Sequence, residues 1–178
     1  KNIFRNNSFG SLDLQTNFKS HTYDTNKTSN FLINNFNWDI KNLFFNSGVR
    51  GKFFSNIKNI NYETKNIDKF KSNTTSEIFG SIGYLTEIDL IKETNKSAKH
   101  LITPKFFIKY APDHMRKETN TDRLNILNLY ELNRLSNEKN FEGGLNATLG
   151  FDYEMTKNDK KLSLSVGQVI NEKENKLM

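Results

Sequence analysis

The sequence predicts an all-β protein: an antiparallel up-and-down transmembrane β-barrel segment of about eight strands, expected to be part of a larger barrel. Three observations lead there. Two runs alternate with period two: Leu145, Ala147, Leu149, Phe151 and Tyr153 stand between Asn146, Thr148, Gly150, Asp152 and Glu154, and Leu162, Leu164 and Val166 between Ser163, Ser165 and Gly167. Successive strand side chains point to opposite faces, so each run has one apolar face and one polar face. Composition is the second observation: hydrophobic residues are only 35% and mean hydropathy is -0.72, yet aromatics reach 12%, with 15 Phe. Disordered chains are poor in aromatics, whereas a barrel with a wet lumen needs apolar side chains on its outer face alone. A coding bias toward Asn and Lys adds to the polar share. Third, no window approaches the ~18 consecutive apolar residues of a membrane helix, and that absence leaves strand-built membrane proteins open.

In chain order, residues 9–22 alternate Leu12, Leu14, Thr16 and Phe18 against Asp13, Gln15, Asn17 and Lys19, a two-faced strand. Asp24-Thr25-Asn26-Lys27 is a turn, and the next strand runs through Leu32, Phe36, Trp38 and Ile40. Residues 42–48 form a connection whose Phe44 and Phe45 suit an ordinary loop cluster or a membrane interface. Residues 49–62 are extended with poor alternation, 65–75 form a loop, and 78–91 alternate on Ile82, Tyr84, Ile88 and Leu90. Residues 92–99 read as a polar turn before a strand through Ile102, Phe106, Ile108 and Tyr110. After a loop over 112–121, a strand is expected at 124–132, with a helix over 122–136 as its rival because Leu124, Leu127 and Leu135 also fit a helical face. The turn-rich residues 155–160 join the last two runs into a hairpin. Loop lengths do not separate the two ends of the sheet.

A chain of 178 residues suits one unit. It starts at Lys1 without a signal-peptide core and stops at Lys176-Leu177-Met178 without a terminal aromatic. Residues 1–178 are therefore expected to be a single segment of a barrel domain, truncated at both ends. The chain has no Cys, which excludes a disulfide framework and thiolate metal sites within it. His21, His100 and His114 have no ligand spacing. Asp152 and Glu154 share one strand face, where paired acids line a lumen more often than they catalyse; nothing supplies a nucleophile. Gly143-Gly144 with Gly150 lacks the Lys-Ser/Thr of a phosphate loop and opens a strand. No catalytic constellation, cofactor or nucleic-acid partner is expected. The net charge of +6 suits an anionic partner, whether nucleic acid, acidic lipid or the phosphate of a glycolipid, although the Lys residues form no stripe and suit solvated loops better.

One constellation remains. Leu132-Asn133-Arg134-Leu135-Ser136 is followed by polar residues, Glu142-Gly143-Gly144, a long alternating strand and Val166-Gly167-Gln168. Upstream, Ile102-Thr103-Pro104-Lys105 through Tyr110-Ala111-Pro112 forms a strand with a Pro near each end. Over about residues 101–170 this pattern resembles the lipopolysaccharide-assembly outer-membrane protein family (LptD, also called organic solvent tolerance protein). Asn137-Glu138-Lys139 departs from that family's Gly-Asp-Arg-like continuation. The resemblance implies a translocon of the Gram-negative outer membrane that inserts lipopolysaccharide into the outer leaflet, the polar lumen passing the sugar. It implies lipopolysaccharide and the bilayer as partners, with a lipoprotein plug subunit and a periplasmic bridge protein. Its candidate binding residues are Asn133, Arg134, Ser136, Glu142, Gly143, Gly144 and Gln168, with an Arg134–Glu142 contact shaping the path. Read without the resemblance, the same residues make a satisfied loop, Asn and Ser capping turns and Gly admitting a tight backbone. The alternatives are another outer-membrane barrel, porin or receptor, or a soluble β-sandwich binding module.

Overall fold

The structure, a computed structural model, describes residues 2–6, 9–68, 70–94, 98–112, 123–135, 138–139 and 142–172. Ser136, His114 and the tail from residue 173 lie outside that set. Among the described residues nine strands form one antiparallel sheet: β1 (Asn2–Asn6), β2 (Gly10–Tyr23), β3 (Lys27–Phe44), β4 (Arg50–Lys65), β5 (Thr75–Glu87), β6 (Leu90–Thr94), β7 (Ala98–Ala111), β8 (Gly144–Lys157) and β9 (Lys160–Asn171). They follow the chain up and down in the order β1-β2-β3-β4-β5-β7-β8-β9, with β6 also pairing β7. The sheet is not closed; β1 and β9 are its edges.

β5 and β6 are one strand interrupted. Both pair with β7 in a single register, Glu87 opposite Lys105 and Leu90 opposite Ile102. That register sets Ile88 opposite Pro104. Ile88 N–H donates to the Pro104 carbonyl at 3.4 Å, but proline has no N–H to return, so the ladder breaks there.

Each strand has an outer and an inner face, and the outer one carries an apolar band, bordered toward the 24–26 turn by hydrogen-bonded Thr16, Asn34 and Asn59. One cross-strand row joins Leu12, Trp38, Ser55, Ile82, Tyr110 and Leu145. On β3 the apolar outer residues extend from this row toward Phe36 and Leu32. On β8 they extend the opposite way, through Leu149, Phe151 and Tyr153 to Met155. The band therefore crosses the ladders obliquely, as a level membrane crosses tilted strands. Leu145 to Met155 measures about 33 Å along the strand, or about 25 Å of height at a ~40° tilt, the thickness of a barrel's lipid belt. Leu149 is 50% exposed and Ile82 50%, although they lie within the sheet rather than at an edge. An exposed apolar face of this extent is a lipid or partner surface.

The inner face carries polar and charged residues, Lys52, Asn56, Lys58, Glu87, Lys105, Lys109, Asn146 and Asp152 among them. At the end holding the 24–26 turn and the 66–74 loop it changes character. There Phe31, Ile33, Ile60, Tyr62, Phe79 and Ala111 form a buried cluster capped by Phe70. Phe31 meets Tyr62 at 5.6 Å and Phe70 at 5.0 Å between ring centroids.

Residues 124–132 are not a strand, and no helix forms there either. The segment is a run of turns closed by its own asparagines. The Asn125 side-chain oxygen accepts from Leu127 N–H at 2.8 Å and from Asn128 N–H at 3.2 Å; the Asn128 side chain accepts from Asn125 N–H at 2.9 Å. Asn side chains that cap local N–H groups compete with a ladder and win where no partner strand is adjacent. The polar turn expected at 92–99 also shifts, because residues up to Thr94 pair with β7. The 2–6 strand carries no alternation that could have revealed it.

Candidate functional site

Between β7 and β8, the described residues 123–135 and 142–143 lie over the inner face, bringing Arg134 and Glu142 against Lys109 of β7. Outward-facing Phe106, Ile108 and Tyr110 force Lys109 inward. Arg134 Nε donates to Glu142 Oε2 at 2.8 Å, and its Nη2 donates to Oε1, a bidentate pair. Lys109 Nζ donates to the same carboxylate and, at 2.8 Å, to the Leu132 carbonyl. All three side chains are 1% exposed or less. The Asn133 side-chain oxygen accepts from Glu142 N–H at 3.0 Å, fixing the backbone that presents the carboxylate. Burial alone raises the Glu142 pKa; the Arg134 hydrogen bonds and the Lys109 and Arg134 charges outweigh it and hold the carboxyl below its ordinary value.

Two cations on one carboxylate leave an excess positive charge in a buried place, and Arg134 Nη1 has no hydrogen-bond partner among the described residues. Such a group is held by geometry and tolerates loss of a partner badly. Among the described residues no cluster suits a metal ion.

Toward the other end, the inner wall carries a second set of charges. Arg50 donates to both oxygens of Asp89, at 2.5 and 2.9 Å, and Lys52 pairs with Glu87 at 2.8 Å. Lys105 pairs with Asp152 on the neighbouring strand. Thr103 donates to Asp89 at 2.9 Å. This is a polar wall of mixed sign, with Arg50 and Asp89 still about one-third exposed.

Of the sequence-derived candidates, Asn133, Arg134 and Glu142 meet in one cluster. Gly143 leads into β8, and Gly144 opens it with φ +94°, a backbone angle that glycine adopts freely. Gln168 does not join them. It points outward from β9 and lines an apolar groove of about 540 Å³ over the Pro104 break, with Ile88, Phe106, Phe151 and Val166. Lys109 was absent from the candidates, although the alternation of Phe106, Ile108 and Tyr110 already turns it inward.

A family model described as LPS transport system D (LptD) matches residues 6–178. The chain belongs to the LptD family. The match covers β2 to β9 and only the last residue of β1, and includes the 112–143 connection, so its role lies in lipopolysaccharide transport and assembly, a transport family rather than one defined by covalent chemistry. No curated protein matched the chain in a separate search. An outer-membrane family agrees with a sheet whose apolar face is outside and whose polar face is inside.

Proposed function

We propose that this LptD chain is one stretch of the wall of an outer-membrane barrel that inserts lipopolysaccharide into the outer leaflet. The polar inner wall passes the sugar part while the acyl chains travel through the bilayer. The observation that carries this is the two-faced sheet, apolar outside and lined inside by Arg50, Lys52, Glu87, Asp89, Lys105 and Asp152. Family membership supplies the cargo. An open edge cannot persist in hydrocarbon, because its N–H and C=O groups have no water to bond. The edges β1 and β9 therefore pair with further strands of the barrel. The longer connections, 66–74 and 112–143, leave one end together with the short 24–26 turn, and 45–49 and 158–159 leave the other; barrels of this class carry their longer loops outside the cell, which supports that orientation. A lipoprotein plug subunit in the lumen and a periplasmic bridge protein delivering substrate complete the machine, and transport of this kind needs no cofactor.

Depletion of the protein in its native cell tests the reading. Expected is a fall in surface lipopolysaccharide and a leaky outer membrane; unchanged surface lipopolysaccharide with the protein gone would refute it.

A further inference from the structure

Three inward-facing glycines mark where the 123–135 segment lies on the wall. A side chain at Gly83 of β5 would meet Leu132 Cδ2 at 2.7 Å, and one at Gly167 of β9 would meet Leu129 Cδ1 at 2.7 Å. One at Gly150 of β8 would strike the Tyr130 hydroxyl. Gly150 and Gly167 are directly opposite each other in the ladder. Leu132 shares the space at Gly83 with the Phe107 ring and Tyr130 shares that at Gly150 with the Val166 carbonyl, while at Gly167 Leu129 is the nearest group.

We propose that residues 123–135 are a displaceable strap over the lumen, seated on this glycine trough and latched by Arg134, Glu142 and Lys109. The strap must leave its seat for a saccharide to pass. The inference rests on the transport reading above.

The strap is held firmly at a few points and lightly elsewhere. The Thr148 hydroxyl donates to the Leu129 carbonyl at 3.2 Å, beside the Lys109–Leu132 contact. Further along the chain, Lys58 donates to the Glu138 carbonyl at 3.1 Å, and Lys139 stands 3.9 Å over the Phe31 ring. The connection thus reaches across the inner face from β9 to β3 and β4. Yet among the described apolar residues of 123–135 only Leu129 and Leu135 are buried, and Leu127 is 87% exposed. Little apolar surface would be lost on lifting, which is the signature of a segment that opens locally. The wall itself is polar: buried atoms of Asn35, Asn56, Ser81 and Asn146, all on inward-facing positions, find no hydrogen-bond partner among the described residues. Opening gives them water, which offsets part of the loss of the latch.

The 178 residues contain no cysteine, so each introduced pair is read against the protein without the pair, oxidised in parallel. The test uses Gly83→Cys with Leu132→Cys and, separately, Gly167→Cys with Leu129→Cys, in the protein as made by its native cell. Mild oxidation is expected to form each cross-link and to stop delivery of new lipopolysaccharide to the surface, with recovery on reduction. A cross-linked protein that still delivers overturns the strap, and failure of both pairs to cross-link overturns the seat. As a second readout, Gly167→Leu fills the seat with the latch intact and is expected to raise the ion conductance of the purified full-length protein in planar bilayers. Conductance equal to that of the unaltered protein overturns the proposal. If the transport reading itself failed, depletion of the unaltered protein would leave surface lipopolysaccharide unchanged, an outcome separable from both.

Discussion

Glu142 is the residue on which the inner cluster depends, since Arg134 and Lys109 both bond its carboxylate where water does not reach. Glu142→Gln keeps the shape and removes the charge, leaving two buried cations uncompensated. Its expected cost is about 3–5 kcal/mol, whereas replacing all three with Met, Leu and Met costs far less, because no charge is then stranded. Denaturant unfolding of the detergent-folded protein decides this; a single variant no worse than the triple one contradicts it. The pH dependence follows from the same contacts. The folded-state pKa of Glu142 lies below its unfolded value, so its stabilisation is complete above the ordinary carboxylate range, about pH 4.3, and is lost as pH falls through the folded value. Cleavage of the strap by an acid-active protease should therefore rise on acidification in the unaltered protein and already be high, with little further change, in Glu142→Gln. Identical pH profiles for the two would contradict the assignment. Arg134 and Glu142 could be picked out from the sequence through the family pattern; for Lys109 the alternation gave the inward face but not the partners, which come from a connection that no periodicity describes.

Pro104 governs the best-defined irregularity among the elements. Pro104→Val supplies the missing N–H opposite Ile88, adds about 1 kcal/mol, and should join β5 and β6 with slower amide exchange at Ile88 and Asp89. Exchange there as fast as in the unaltered protein would show that proline is not the cause of the break. Strands were legible wherever one face stayed apolar along the whole element, as in β2, β7, β8 and β9. In β4 the pattern looked poor because it changes phase: Phe53 and Ile57 face outward, while Ile60 and Tyr62 face inward under Phe70. A strand that leaves the lipid belt and passes beneath loops exchanges its apolar side, and a fixed period of two misses that. The 124–132 segment failed for a different reason. Its leucines are spaced as a strand or helix would space them, but Asn125 and Asn128 close turns locally, and only tertiary seating on the glycines says where the leucines go.

At the scale of the whole molecule, the sequence showed that an apolar face existed, but the oblique course of the band required the register between strands. The band predicts a sharp asymmetry of substitution: Leu149→Lys on the outer face should cost about 2–4 kcal/mol in a bilayer, while the same change at inward-facing Ser165 costs little. Refolding into lipid vesicles measures both, and equal costs would speak against a lipid-facing Leu149. The most direct test is a single-cysteine scan along β8, residue by residue from Leu145 to Met155, in outer membranes carrying the full-length protein. Each position receives a fluorophore, read against a quencher dissolved in the lipid. Quenching at 145, 147, 149, 151, 153 and 155, with none at the residues between, is the result expected of a barrel wall in the membrane. Quenching nowhere along the strand, with water-soluble reagents reaching both faces, would mean that this sheet does not stand in a bilayer.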